Sequence, residues 1–176
     1  MILGAVLAGG QSTRFGSDKA LAEYGGQSLL ALAVARLSPW CEKVVVIGRE
    51  TAPVPSLPDW PRAGMGPLGG LAAALRLAEQ ERFDAVLSLG VDSLGLPENL
   101  PELLAPAPAY LADQPVVGLW PVSATAAAEA ILVGQGRHSM RRLAEAVGAR
   151  AVQIAAGSAN INTPADLAEL EKRRGL

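Results

Sequence analysis

Ile2 to Ala8 is an unbroken apolar run without helical period, too short for a buried helix and closed by Gly9-Gly10. That pattern predicts a strand covered on both faces, as in a parallel sheet. A polar loop over Gly9 to Lys19 follows, and Ser28 to Leu37 carries a helical pattern that stops at Ser38-Pro39. Lys43 to Gly48 (KVVVIG) predicts a second buried strand, and Asp84 to Leu89 (DAVLSL) a third. Between them, Thr51 to Pro67 is rich in Pro and Gly and reads as a long irregular loop, and Leu68 to Glu81 reads as a helix that Gly66-Pro67 is placed to start. Beyond Gly90 the pattern predicts a short helix over Glu98 to Leu104, a proline-broken connection through APAPAYLAD and a strand over Val116 to Trp120. Helices are then expected over Ser123 to Leu132, Ser139 to Val147 and Thr163 to Arg173, with a strand over Ala151 to Ile154.

Strands alternating with helices predict an α/β fold, a three-layer α/β/α sandwich on a mostly parallel, Rossmann-like sheet. With 176 residues, no internal repeat and no linker, residues 1–176 are expected to form one domain. Half the residues are hydrophobic and only 4% aromatic, so the core must be built from Ala, Val, Leu and Ile. The net charge of −2 gives no general attraction to nucleic acid or to an acidic membrane surface; a polyanion would have to be bound locally. The single cysteine, Cys41, excludes an internal disulfide and a Cys-rich zinc site. MILGAVLAGG lacks the charged leader and long apolar region of a signal peptide, and no apolar run reaches the roughly 20 residues of a membrane span. A cytoplasmic protein is expected.

The segment Leu7-Ala8-Gly9-Gly10-Gln11-Ser12-Thr13-Arg14-Phe15-Gly16-Ser17-Asp18-Lys19 carries the strongest chemical signal. Ligands of open α/β sheets bind beyond the carboxyl ends of the strands, where this loop must lie. Glycines let backbone N–H groups approach phosphate oxygens, Arg14 offers a fork for them and Lys19 a point charge. The spacing matches neither the Walker loop nor the dinucleotide fingerprint. On the residues alone, a turn with two solvated cations remains open. Asp92 follows DAVLSL and should project at the same edge, either as a Mg²⁺ ligand or as a turn-forming aspartate. Asp59, in the long loop, is either an exposed acid or part of the same site.

The loop resembles the signature LAGGxSxRxGxDK of nucleotidyltransferases with a glycosyltransferase-A-like fold, the nucleotide-diphospho-sugar transferase fold. Within them it is most similar to the molybdenum cofactor guanylyltransferases. KVVVIG, Asp59, GPLGGL (Gly66 to Leu71), Asp92, QPVVGLWPV (Gln114 to Val122) and NINTPADL (Asn160 to Leu167) extend the resemblance over nearly the whole chain. It implies that Leu7, Ala8 and Gly9 line the guanine and ribose of GTP. Gly10 belongs to the LAGG form that accompanies guanine, where the related cytidylyltransferases have LAAG. Arg14 and Lys19 would hold phosphates, Asp92 would bind Mg²⁺ and nucleotide, Asp59 would contact GTP, and Asn160 and Asn162 would lie toward molybdopterin. Arg14, Lys19 and Asp92 are the implied catalytic set.

The implied reaction joins GMP from GTP to the terminal phosphate of molybdenum-molybdopterin and releases pyrophosphate. Molybdoenzyme apoproteins or cofactor chaperones are expected as transient partners, and nucleic acid and membranes are not. Other readings are a cytidylyl or sugar-phosphate nucleotidyltransferase, and a non-catalytic GTP-binding or cofactor-delivery protein. The chain departs from the family in three places. Gly90-Val91-Asp92-Ser93-Leu94 stands where Cys-Asp-x-Pro is usual, so the loop loses a rigid proline. Ile47 or Gly48 replaces an asparagine, and Gln114-Pro115 replaces a His-Pro pair. Arg137, Arg141 and Arg142 either are solvated or meet the anionic acceptor. Cys41, His138, Trp40, Trp60 and Trp120 are expected to pack or to lie on the surface rather than do chemistry.

Overall fold

The computed structural model describes residues 1–10, 18–155, 159–160 and 163–175. Among these described residues, eleven strands and six α-helices follow in order: β1 (Ile2–Leu7), β2 (Glu23–Tyr24), β3 (Gln27–Ser28), α1 (Leu29–Leu37), β4 (Lys43–Ile47), β5 (Ser56–Leu57), α2 (Gly66–Gln80), β6 (Ala85–Gly90), β7 (Ser93–Leu94), α3 (Leu100–Leu104), β8 (Ala109–Leu111), β9 (Gln114–Pro121), α4 (Thr125–Val133), α5 (Met140–Val147), β10 (Arg150–Val152), β11 (Ala159–Asn160) and α6 (Pro164–Arg174). A seven-stranded sheet has the order β10-β8-β9-β6-β1-β4-β5. Within it only β9 runs against its neighbours, pairing antiparallel with β6 and β8. The mostly parallel sheet expected from the alternating pattern is the sheet observed.

Apolar residues cover both faces because successive side chains of a strand point to opposite sides. From β1, Val6 enters the layer shared with Leu30, Val34 and Leu37 of α1, Leu100 and Leu104 of α3 and Leu167 of α6. Leu3 and Ala5 enter the opposite layer, with Leu68, Leu71 and Leu75 of α2, Ile131 of α4 and Leu143 of α5. Leu68, Leu71, Ala72, Leu75 and Ala78 recur at the helical interval and are fully buried. Each buried leucine contributes about 1.5–3 kcal/mol of transfer free energy. Side-chain caps start α1, α5 and α6. Ser28 accepts from Ala31 N at 3.1 Å and Ser139 from Arg142 N at 3.2 Å, while Thr163 and Asp166 form a reciprocal capping box.

Two segments differ from the sequence pattern. The loop over Thr51 to Pro67 contains β5, a two-residue edge strand beside β4, and the proline-broken APAPAYLAD contains β8. Both strands are too short to show alternation, and prolines mask their periodicity. The two-stranded pairs β2–β3 and β7–β11 were invisible for the same reason. Trp120 is the one tryptophan sealed in the core; its Nε1 donates to Ser88 Oγ at 3.1 Å, and Ser88 donates to Val116 O at 2.7 Å. Trp40 and Trp60 lie under the guanidinium groups of Arg36 and Arg76. Among the described residues no helix is long and apolar enough to cross a membrane.

Leu71 is clamped between the sheet and the helices outside it. Leu71→Ala is expected to lower unfolding free energy by about 2–5 kcal/mol, measured by urea denaturation.

Candidate active site

The chain runs outward from β1 to β4 and β5, then crosses back through α2 to β6 on the other side of β1. Such a reversal opens a crevice at the carboxyl edge between strands whose connections depart in opposite directions. The ends of β1, β4 and β6 meet there. Ala8 N still donates to Ile47 O at 2.9 Å, so β1 and β4 stay paired to the rim of the crevice.

Beyond that bond the two backbones come still closer. Gly48 has φ +87°, and a Cβ on it would fall inside contact distance of Gly9 Cα. No other residue could occupy that position without moving the first strand's loop. This contact explains Gly48 better than the loss of a polar family contact does. Ile47 beside it is buried in the apolar layer.

Asp59 is not an exposed loop acid. It is 8% exposed, and its Oδ2 accepts from Met65 N at 3.2 Å, just before α2. A Cβ on Gly9, Gly48 or Gly70 would come within 3.5, 3.4 and 3.6 Å of its Oδ1, so this oxygen lies where β1, β4 and α2 converge. Burial pushes its pKa up from the ordinary aspartate range, and the backbone N–H groups of Met65 and Gly64 only partly offset the shift.

Across the crevice, Lys19 Nζ donates to Asp92 Oδ2 at 3.0 Å, with the side chains 15% and 19% exposed. Residues far apart in the chain are thus brought together as the glycine loop's cation and the carboxylate beyond β6. Gly90 makes room for that carboxylate: a Cβ there would lie 2.6 Å from Asp92 Oδ1. Ser93 Oγ accepts from Gly90 N at 3.3 Å, and Leu94 N donates to Asp92 O at 3.0 Å. β11 pairs with β7, setting Asn160 opposite Ser93 and next to Asp92. Arg14 and Asn162 lie outside the described residues. Leu7 and Ala8 are at the end of β1, and Gly10 is exposed beyond them.

Nothing in the hydrophobic pattern marks Arg49, yet it reaches the same rim. Its Nη1 and Nη2 donate to Asp18 Oδ1 and Oδ2 at 2.9 and 2.6 Å. The guanidinium holds the Asp18 carboxyl below the usual carboxylate range. The available signal was positional: Asp18 directly precedes Lys19, and Arg49 leaves the end of β4. Other candidates lie apart from the crevice or are engaged structurally. Arg142 donates to Gln135 O and Arg137 O, and Arg141 to Ala112 O in the turn between β8 and β9. His138 Nε2 lies 3.3 Å from Gly134 O. Burial pushes the Cys41 thiol up to about 12, so it is no nucleophile.

A sheet of this order, with its crevice at the reversal beside β1, is the fold of nucleotidyltransferases. The solved molybdopterin-guanine dinucleotide biosynthesis protein A from Archaeoglobus fulgidus superposes with a TM-score of 0.74, at 20% identity and 99% coverage of both chains. The 2-C-methyl-D-erythritol 4-phosphate cytidylyltransferase from Thermus thermophilus gives 0.65 at 17% identity, covering 100% of this chain and 98% of that one. Residues 4–159 match the MobA-like NTP transferase domain, and the chain belongs to that family. It is 36% identical to a molybdenum cofactor guanylyltransferase of Rhodobacter capsulatus over 183 residues, spanning 98% of this chain and 96% of the relative.

Asp59 yields a pH prediction. A carboxyl whose pKa is higher folded than unfolded favours folding below its unfolded value, about 3.9, and this contribution is lost as pH rises through the folded value. At neutral pH the buried charge therefore works against the fold. Asp59→Asn is expected to melt at a higher temperature than the native protein at pH 7, with the difference shrinking toward about pH 4. Thermal unfolding across that range measures it.

Proposed function

We propose that the protein is a molybdenum cofactor guanylyltransferase, transferring GMP from GTP to the terminal phosphate of molybdenum-molybdopterin with release of pyrophosphate. The observation that carries the reading is the Lys19–Asp92 pair at the mouth of the glycine-lined crevice, in a chain similar to such enzymes along nearly its whole length. Two partly buried opposite charges held at 3.0 Å satisfy each other until an anion and a cation arrive together to separate them. A metal-bound triphosphate is such a ligand.

Mg²⁺ suits the donors available. It takes one or two carboxylates and completes its shell with waters and substrate phosphates. Among the described residues no group of three or more His, Cys, Asp and Glu could hold a metal by itself, whereas Asp92 offers hard oxygens at the crevice. Asp92 would hold the ion. Bound there, Mg²⁺ supplies neutralisation of the triphosphate charge and orientation for in-line displacement.

The protein's own groups do the rest. An acceptor phosphate has its second pKa near about 6 and arrives ionised, so no side-chain base is needed. Its oxygen attacks the α-phosphorus of GTP, the bond from that phosphorus to the α–β bridging oxygen breaks, and pyrophosphate leaves with the electron pair. Lys19, with Arg14 and the amides of the glycine loop, stabilises charge on the equatorial and leaving oxygens. Leu7, Ala8, Gly9 and Gly10 line the nucleoside, with Asp59 as an acceptor for its N–H or hydroxyl donors. Asn160, and Asn162 in the same motif, face the acceptor. Transient handover to molybdoenzyme apoproteins or cofactor chaperones in the cytoplasm follows from the product's use.

Lys19→Ala and Asp92→Ala are each expected to lower turnover by about 10²–10³ while the protein stays folded. The assay is pyrophosphate release from GTP and molybdopterin, with EDTA abolishing it and Mg²⁺ restoring it. Near-native turnover in either variant would sink the site assignment. Release with CTP but not GTP would overturn the guanylyl reading.

A further inference from the structure

Arg49 leaves the crevice end of β4 directly after Gly48, yet its side chain does not extend into solvent. It is 18% exposed, and its Nε is buried with no hydrogen-bond partner among the described residues. The polar contacts of its guanidinium converge on one carboxylate. Nη1 reaches Asp18 Oδ1 at 2.9 Å and Nη2 reaches Oδ2 at 2.6 Å, a two-point fork that fixes direction as well as distance. Asp18 in turn caps the short 3-10 turn over Lys19–Leu21, its Oδ1 also accepting from Ala20 N at 3.2 Å. One carboxylate thereby joins the end of β4 to the turn that carries Lys19.

We propose that Arg49 is a positioning residue for phosphoryl chemistry, holding Lys19 over the crevice through Asp18. The inference rests on the nucleotidyl-transfer reading and deepens it. Lys19 has a long, flexible stem, and its three donors impose no orientation. The backbone at its root sets how far its ammonium can reach toward Asp92. That backbone opens the 3-10 turn over Lys19–Leu21 and is tied by the fork to β4, a strand buried in the sheet. Without the fork the turn keeps its capping carboxylate and the buried Ala20 but loses its charged link to the end of β4. A displacement of about 1 Å in a charge-stabilising group can cost 10²-fold in rate.

The test is steady-state pyrophosphate release from Mg·GTP and molybdopterin by Arg49→Ala, Arg49→Lys, Asp18→Asn, the Arg49→Ala/Asp18→Asn double variant and Lys19→Ala, with melting temperatures recorded for each. Arg49→Ala is expected to lower kcat about 10- to 100-fold with KM for GTP within about threefold. Arg49→Lys should recover little, because an ammonium cannot replace a fork. The double variant should be no slower than the worse single variant within about threefold. Multiplied losses in the double variant would overturn the route through Asp18. A raised KM at unchanged kcat would overturn positioning in favour of direct substrate contact. Normal kcat per folded molecule in Arg49→Ala, beside a crippled Lys19→Ala, defeats the positioning role alone. Normal turnover in Lys19→Ala defeats the nucleotide site, and the positioning role with it.

Discussion

A strand buried on both faces has no room for ionised groups, since an unpaired charge in that layer would cost several kcal/mol. β1 and β6 place apolar residues in both layers, and the buried polar group between them, Ser88, is fully hydrogen-bonded. Charge needed for chemistry is therefore pushed to where the strands stop. The order of the sheet then decides which end matters. At the carboxyl ends of β4, β1 and β6, adjacent and parallel, the loops leave toward one crevice. The Gly9–Gly48 contact is the closest expression of this constraint: two loops leaving neighbouring strands pass with no side chain between them.

At that edge the charges are not left to solvent. Lys19 is set against Asp92 and Arg49 against Asp18, so two cation–carboxylate pairs tie the 3-10 turn after β1 to the segments that follow β6 and β4. Partial burial makes the Lys19–Asp92 pair worth more than a surface pair and costlier to break, while the two-point fork gives the more exposed Arg49–Asp18 pair its direction. Asp59 is the exception, held by backbone N–H donors and facing three glycines. A desolvated carboxylate with no cation beside it among the described residues is unfavourable by itself and becomes favourable when donors arrive. Its cost to the fold and its value to a ligand have the same origin.

How much of this the sequence revealed depended on the length of each element. β1, β4 and β6 are apolar runs of five or six residues ended by glycine or a polar loop, and they were legible as buried parallel strands. α2 and α6 announced themselves by helical spacing and by proline at the first turn. β5, β7, β8 and β11 have two or three residues each and exist only because a neighbour pairs with them. No local pattern encodes such a strand. The same divide runs through the site. Lys19 and Asp92 stood out because each sits at the end of a recognisable element. Arg49 did not, because its role is defined by Asp18, thirty-one positions away, and charge pairs across loops leave no period in a sequence.

The loop around Asp92 shows how one constraint can be met by different means. A proline following the aspartate would fix one backbone dihedral and withdraw an N–H. Leu94 keeps its N–H and gives it to Asp92 O, while Ser93 closes the turn onto Gly90 N. β7 can then pair with β11, so the strand next to Asp92 is tied to the segment leading into α6. Three weak, directional restraints stand in for one covalent ring. The two residues that follow Asp92 share one small sheet with Ala159 and Asn160, so a movement of the Asp92 loop must be felt at Asn160.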